Sequence, residues 1–333
     1  MDKNTITGFV LIAALIIGFS WFNKPSDEEI AQQRTQDSIA NVQKEKAKQQ
    51  QAANAAAAKA MAKVDTTAAF HEALAGKAQK VTLKNQKVEL TFNSKGATVE
   101  KAVIKGFKDY KGNKDVTLFD GKDQSLNFML AGKETNLITS DMYFTPSEVT
   151  DSTVVFTASA AEGKSLTISY TLGKDYMLHA SIQANGMSGM FAPNYNAMDV
   201  EWKDKCRQQE KGFTFENRYA TLTYHLTEGG TDYLGETKEL TDEAVEDNID
   251  WVAFKNQFFS AVMIAKNDFG KNAKMTSIPQ EKGSGYLKQY GAKMKTFFDP
   301  TGKQPTELEF YYGPNDFRLL QNVEEESKFG KEL

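Results

Sequence analysis

Residues 166–182 read LTISYTLGKDYMLHASI, and they decide the fold class. Leu166, Ile168, Tyr170 and Leu172 alternate with polar residues, as do Tyr176, Leu178, Ala180 and Ile182, with Gly173-Lys174-Asp175 between the two runs. A period of two puts each apolar set on one face of a strand, and a short turn of Gly and Asp pairs the strands antiparallel. The alternation continues outward. Val81 and Leu83, then Val88, Leu90 and Phe92, repeat it upstream. Further strands are expected at 99–104, 116–119, 154–158, 213–226, 251–264, 294–298 and 308–312. Asn93-Ser94-Lys95-Gly96, Gly112-Asn113, Glu228-Gly229-Gly230 and Pro300-Thr301-Gly302 punctuate them. Many strands without alternating helices predict a mostly β chain, a large antiparallel sandwich over 79–313.

Gly313-Pro314-Asn315-Asp316 ends the last strand and offers a helix start, with Asn315 or Asp316 as cap. Phe317, Leu319, Leu320 and Val323 then share a face, so 314–333 is read as a C-terminal helical segment packed on the sandwich.

The first 25 residues are of another kind. Residues 6–22, ITGFVLIAALIIGFSWF, carry no charge and measure about 25 Å as a helix, the short end of a bilayer span. Ile6, Phe9, Leu11, Ile12, Leu15, Ile16, Phe19, Trp21 and Phe22 are the expected anchor residues, with the closing rings at the membrane–water interface. A cleaved signal peptide is the alternative, but SWFNKPSDE lacks the small residues of a cleavage site. Residues 26–78, rich in Ala, Gln and Lys, hold too few large apolar side chains to build a core, and read as a flexible or helical spacer.

Composition removes several chemistries. Forty basic against 44 acidic residues give a formal charge of −4, the wrong balance for nucleic acid. One cysteine, Cys206, builds neither a disulfide framework nor a multi-cysteine zinc site. His71, His179 and His225 stand at no ligand-like spacing. No Walker loop, G-x-S-x-G or G-x-G-x-x-G is present, and Gly283-Ser284-Gly285 lacks the context of a phosphate loop. The acidic run 242–250 lacks the glycine and ligand order of an EF-hand and reads as a solvated loop or short helical turn. Cys206, between Lys205 and Arg207, reads as a plain free thiol. His179 or His225 is a candidate acid or base if a cleft receives it. Residues 251–264 form the densest apolar run, either a central strand buried on both faces or an exposed groove for an extended partner. No catalytic, cofactor or metal residue is assigned.

The opening MDKNTITGFVLIAALIIGFSWFNKPS, the spacer, Val88 to Ala97 (VELTFNSKGA), Trp251 to Phe259 (WVAFKNQFF) and Phe310 to Asn315 (FYYGPN) together resemble the amino-terminal half of the YidC membrane protein insertases of Gram-negative bacteria. Gly96, Trp251, Phe254, Phe258, Phe259, Gly313 and Pro314 carry the resemblance, as structural rather than catalytic residues. It implies a mutarotase-like β-supersandwich in the periplasm, an inner-membrane anchor with a cytoplasmic N-terminus, and no enzyme activity or cofactor. It also implies a scaffold or binding role in membrane protein insertion and chaperoning, beside the Sec translocon, its accessory subunits and nascent inner-membrane proteins. The family's insertion core follows such a domain, so the chain is expected to be a part of a longer protein. The competing expectation is a membrane-anchored carbohydrate-binding or mutarotase-like protein, with His179 paired to Glu201 or Glu307. A plain envelope structural protein is the third.

Overall fold

The computed structural model describes residues 70–160, 163–234, 240–327, 329 and 333. The nine expected anchor residues and most of the expected spacer lie outside the described residues. A single 3-10 turn, His71–Leu74, opens the described fold, with Phe70 and Ala73 buried. The Ala73 carbonyl accepts from Tyr143 N–H at 2.6 Å, so packing onto the sandwich begins inside the stretch read as spacer to 78.

In chain order the strands are β1 Lys80–Lys84, β2 Val88–Asn93, β3 Thr98–Lys108, β4 Asp115–Asp120, β5 Gln124–Leu130, β6 Leu137–Ile138, β7 Thr145–Ser147, β8 Thr153–Ser159, β9 Ser165–Leu172, β10 Met177–Asn185 and β11 Ala197–Arg207. Helix α1, Phe213–Arg218, interrupts them. Then come β12 Thr221–Leu226, β13 Thr231–Leu234, β14 Thr241–Val245, β15 Ile249–Lys255, β16 Phe259–Phe269, β17 Ala273–Pro279, β18 Tyr286–Phe297, β19 Thr306–Pro314 and helix α2, Phe317–Glu326.

The deciding hairpin forms as read. Tyr170 faces Ala180 and Ile168 faces Ile182 across β9 and β10. Gly173 N–H donates to the Met177 carbonyl at 2.8 Å and closes the turn. From there the antiparallel ladders build a long sheet, β13-β12-β15-β16-β19-β10-β9-β8-β7, and a second, β14-β17-β18-β11-β5-β6. One ladder pair, Phe269 with Thr296, and the adjoining bond from Gly270 N–H to the Lys295 carbonyl at 2.8 Å join the two. Strands β1 to β4 make a separate small sheet.

Register alternation puts Phe254, Tyr312, Phe310, Leu178 and Tyr170 on one face of the long sheet. Both other sheets pack on that face. Trp202 of β11 stacks on Phe254 at 3.9 Å between centroids, and Tyr290 of β18 lies 5.3 Å from the same ring. Phe92 of β2 meets Tyr170 at 4.8 Å, and Phe119 of β4 meets Tyr312 at 5.6 Å. These buried rings form the core, where large apolar area leaves water.

Four expectations are corrected. Residues 251–264 are two strands, β15 and β16, rather than one. Asn256 accepts from Phe258 N–H at 2.9 Å and Phe259 N–H at 2.8 Å, reversing the chain inside an apolar run. Phe258, at the turn, is consequently 44% exposed. The expected strand 213–226 starts as helix α1, because Glu216 turns inward and accepts the Gln209 and Glu210 N–H groups. The acidic run 242–250 is mostly strand: β14 pairs with β17, and Asp250 is buried in β15. Phe317 leaves the expected helix face and is 78% exposed, while Val323 is buried and Leu319 and Leu320 pack against the core. Asp316 caps α2 by accepting from Arg318 and Leu319 N–H. Asn315 instead accepts from Ser260 Oγ at 2.5 Å and donates to the Asn256 carbonyl.

Candidate binding cleft beside strand β13

Two concave features lie on the outer, polar face of the long sheet. The larger is an open cleft of about 390 Å³ beside the β12–β13 hairpin. Thr221 and Thr223 of β12, Thr231 and Tyr233 of β13, and Lys255 of β15 line it, because the register places them on one face. Helix α1 supplies the wall with Phe215 and Tyr219, whose rings meet edge to face at 5.2 Å. Phe215, Tyr219 and Tyr233 are 54%, 42% and 51% exposed.

The wall is held from beneath. Glu216, the next residue, is fully buried and binds both backbone N–H groups of the preceding loop, which turns its neighbour Phe215 outward. Burial pushes the Glu216 carboxyl up to about 7 against the pull of those two N–H groups. Exposed rings beside hydroxyl groups and an ammonium suit the binding of a partly apolar, hydrogen-bonding ligand. Sequence reading did not single out these rings, and only the close spacing of aromatics in FTFENRYATLTY marked the region.

The second feature is a niche of about 100 Å³ lined by Ser169, Thr171, His179, Ser181, Glu307 and Phe329. His179 does meet a carboxylate here, but neither of the two expected. Glu307 lines the niche and pairs with Lys266, and Glu201 lies on β11 with Lys203 and Lys293. The partner is Glu309, which faces His179 across the β10–β19 ladder with Oε1 2.8 Å from Nδ1, off hydrogen-bond alignment. Glu309 is fully buried, and Ser327 Oγ donates to its other oxygen at 2.6 Å. Phe329 of the chain's own C-terminal segment lines the niche, whose volume is below the roughly 300 Å³ of ordinary ligand pockets.

The remaining candidates are scattered. His225 Nδ1 lies 3.1 Å from Asp250 and its ring stacks on Trp251. Cys206 is buried, and burial first, then the Asp204 and Glu216 carboxylates, raise its thiol well above the usual range. Among the described residues no three His, Cys, Asp or Glu side chains group as a metal site. Gly96 adopts φ +86° in the β2–β3 turn. Phe259 is buried against Phe107, Gly313 lies under the Tyr311 and Tyr176 rings, and the Pro314 carbonyl accepts from Tyr311 Oη at 2.6 Å.

The described strands build an antiparallel β-sandwich whose outer face carries a cleft lined by exposed rings. The chain belongs to the YidC periplasmic domain family, whose profile matches residues 80–331. It is 49% identical over 336 residues to a membrane protein insertase YidC of Phocaeicola vulgatus, covering all of this chain and 54% of the relative. It is 44% identical to the membrane protein insertase YidC of Bacteroides fragilis, covering 96% of this chain and 52% of that one. The chain therefore spans about half the length of these curated relatives. Among solved structures, a galactose mutarotase-like protein from Lactobacillus casei is similar at TM-score 0.46 and 13% identity, covering 71% of this chain and all of that one. A galactose mutarotase related enzyme from Lactobacillus acidophilus follows at TM-score 0.44 and 10% identity, covering 70% and 97%.

Proposed function

We propose that this chain is the periplasmic recognition and scaffold part of an inner-membrane protein insertase, with residues 6–22 as its anchor and its N-terminus in the cytoplasm. Its work is to hold a partner near the insertion machinery, not to catalyse a reaction. The partners are nascent inner-membrane proteins and the Sec translocon with its accessory subunits. The observation that carries the reading is the open aromatic cleft on a domain of an insertase family. Binding of this kind needs exposed rings on a rigid frame, and α1 supplies them through the buried Glu216.

Photo-crosslinking in native membranes tests it. A benzophenone amino acid at Phe215 or Tyr219 of the full protein is expected to give protein adducts. Adducts confined to a control position outside the cleft lining, Lys303 in the exposed β18–β19 turn, overturn the reading. The same membranes, probed with antiserum to residues 80–330, should show a species larger than 37.1 kDa.

A carbohydrate-active alternative has one observation in its favour, the meeting of His179 with Glu309. The small volume of that niche, about 100 Å³, counts against it.

A further inference from the structure

The cleft runs along a strand whose outer side is open, and the phase of its ladder says which groups face outward. Among the described residues β13 pairs only with β12. Leu226 N–H donates to the Gly230 carbonyl at 3.2 Å, which makes that opposed pair a hydrogen-bonded one. Pairs alternate in an antiparallel ladder, so Tyr224 with Asp232 is bonded, while His225 with Thr231 and Thr223 with Tyr233 are not. The backbone N–H and C=O groups of Thr231 and Tyr233 therefore point away from β12, to the open edge.

One of these groups is already occupied. Tyr233 N–H donates to Oδ1 of Asp232 at 2.8 Å. A carboxylate that folds over its neighbour's outward N–H removes a donor an incoming strand would use, and it adds a charge at the edge. Both are ways in which sheets discourage promiscuous pairing. Thr231, Asp232 and Tyr233 are all exposed, and among the described residues no strand pairs with this edge.

We propose that β13 is a guarded docking edge: an extended polypeptide adds to the long sheet there, displaces Asp232 from the Tyr233 N–H, and lays alternate side chains on Phe215, Tyr219 and Tyr233. This deepens the recognition role proposed above, and rests on it, by naming the occupant as a β-strand. Outward backbone groups repeat at the strand period, and only another extended backbone offers donors and acceptors at matching intervals. A glycan stacks on rings but has no such repeat. The register also fits, since Thr231 and Tyr233 lie on the cleft face with Thr223. A strand paired to β13 continues that face, and its every second side chain emerges beside the rings. Asp232 sets a threshold, so weakly pairing segments are turned away.

The test uses the full chain in nanodiscs and a fluorescein-labelled octapeptide of alternating Val and Thr, read by anisotropy. A second octapeptide, N-methylated at alternate residues, cannot complete the ladder. Asp232→Ala is expected to bind the first peptide about three- to tenfold more tightly, because one competing hydrogen bond is gone. Thr231→Pro removes an outward N–H without touching the β12 ladder, a position where sheets tolerate proline. It should weaken binding by about tenfold. Unchanged urea unfolding of both variants confirms the fold. The proposal is overturned if the peptide does not bind, if both variants bind as the parent does, or if the N-methylated peptide binds equally. Displacement of the peptide by cellohexaose with no effect of Thr231→Pro overturns it in favour of a glycan. If protein adducts from Phe215 persist while the peptide results fail, the cleft reading stands and the strand-addition reading falls.

Discussion

Trp202 and Phe254 stack with ring centroids 3.9 Å apart and planes inclined by 24°, one from each of the two large sheets. Both are buried, and the buried Tyr290 ring lies 5.3 Å from Phe254 at 26°. Phe254→Ala is therefore expected to cost about 3–5 kcal/mol, the range for deleting a buried ring that its surroundings cannot refill. Urea unfolding measures it, and a loss below about 1 kcal/mol would show that the stack does not hold the sheets together.

Asn256 makes a hairpin out of an apolar run. Asn256→Ala leaves Phe258 and Phe259 N–H without their acceptor and should cost about 1–3 kcal/mol. Asn256→Asp keeps an oxygen at the same place and should recover most of that. Equal losses in the two variants would assign the effect to packing instead.

Glu216 gives stability a slope with pH. Its carboxyl sits at about 7 in the folded chain against an ordinary 4.5. The native state therefore binds the proton more tightly, and this contribution is complete below about pH 4.5 and lost as pH rises through 7. Its size is on the order of 3 kcal/mol. Glu216→Gln should remove the decline, so wild type and variant should converge or cross between pH 5 and pH 8 in urea midpoints. Parallel curves would refute the assignment.

Gly313 has no room for a side chain. A Cβ there would stand 2.7 Å from the end of the Tyr311 ring and 2.8 Å from Tyr176 Cγ. Gly313→Ala should lower stability by about 1–3 kcal/mol through overpacking. A neutral outcome by thermal unfolding would mean that both rings swing aside.

Cys206 should be chemically silent. Burial keeps it protonated and out of reach. Ellman's reagent is expected to find no thiol in the folded protein and one in urea. Prompt reaction under native conditions would contradict the packing at that end of β11.

The ladders around β9 and β10 were legible because alternation over eight or nine residues leaves one face to bury. What escaped has local causes. Asn256 lies among Phe254, Phe258 and Phe259 with no glycine or proline beside it, so the reversal had only an amide to announce it. Helix α1 is one and a half turns long, too short for a period, and Glu216 shows its inward aim only through the N–H groups it meets. Exposure is not written in residue type either. Phe254 and Phe215 read alike, yet one fills the core and the other walls the cleft. The sequence offers His179 the carboxylates of Glu201 and Glu307, and the β10–β19 register selects Glu309, two residues from Glu307 on the same face. Long-range pairing fixes such partners, and no window along the chain displays it.

Among the described residues one ladder pair, Phe269 with Thr296, and the Gly270–Lys295 backbone bond beside it leave the two large sheets joined by a pin rather than a seam. So short a junction leaves each sheet's register to its own ladders, and the rings packed between them help to hold the angle. Exchanging one ring for another would tilt the sheets without unstitching either. A lineage that drifts in sequence can thus alter the opening of the outer face by degrees while every hydrogen-bonded ladder stays intact. In such a protein, divergence would register first as a change of hinge angle and only later as a change of fold.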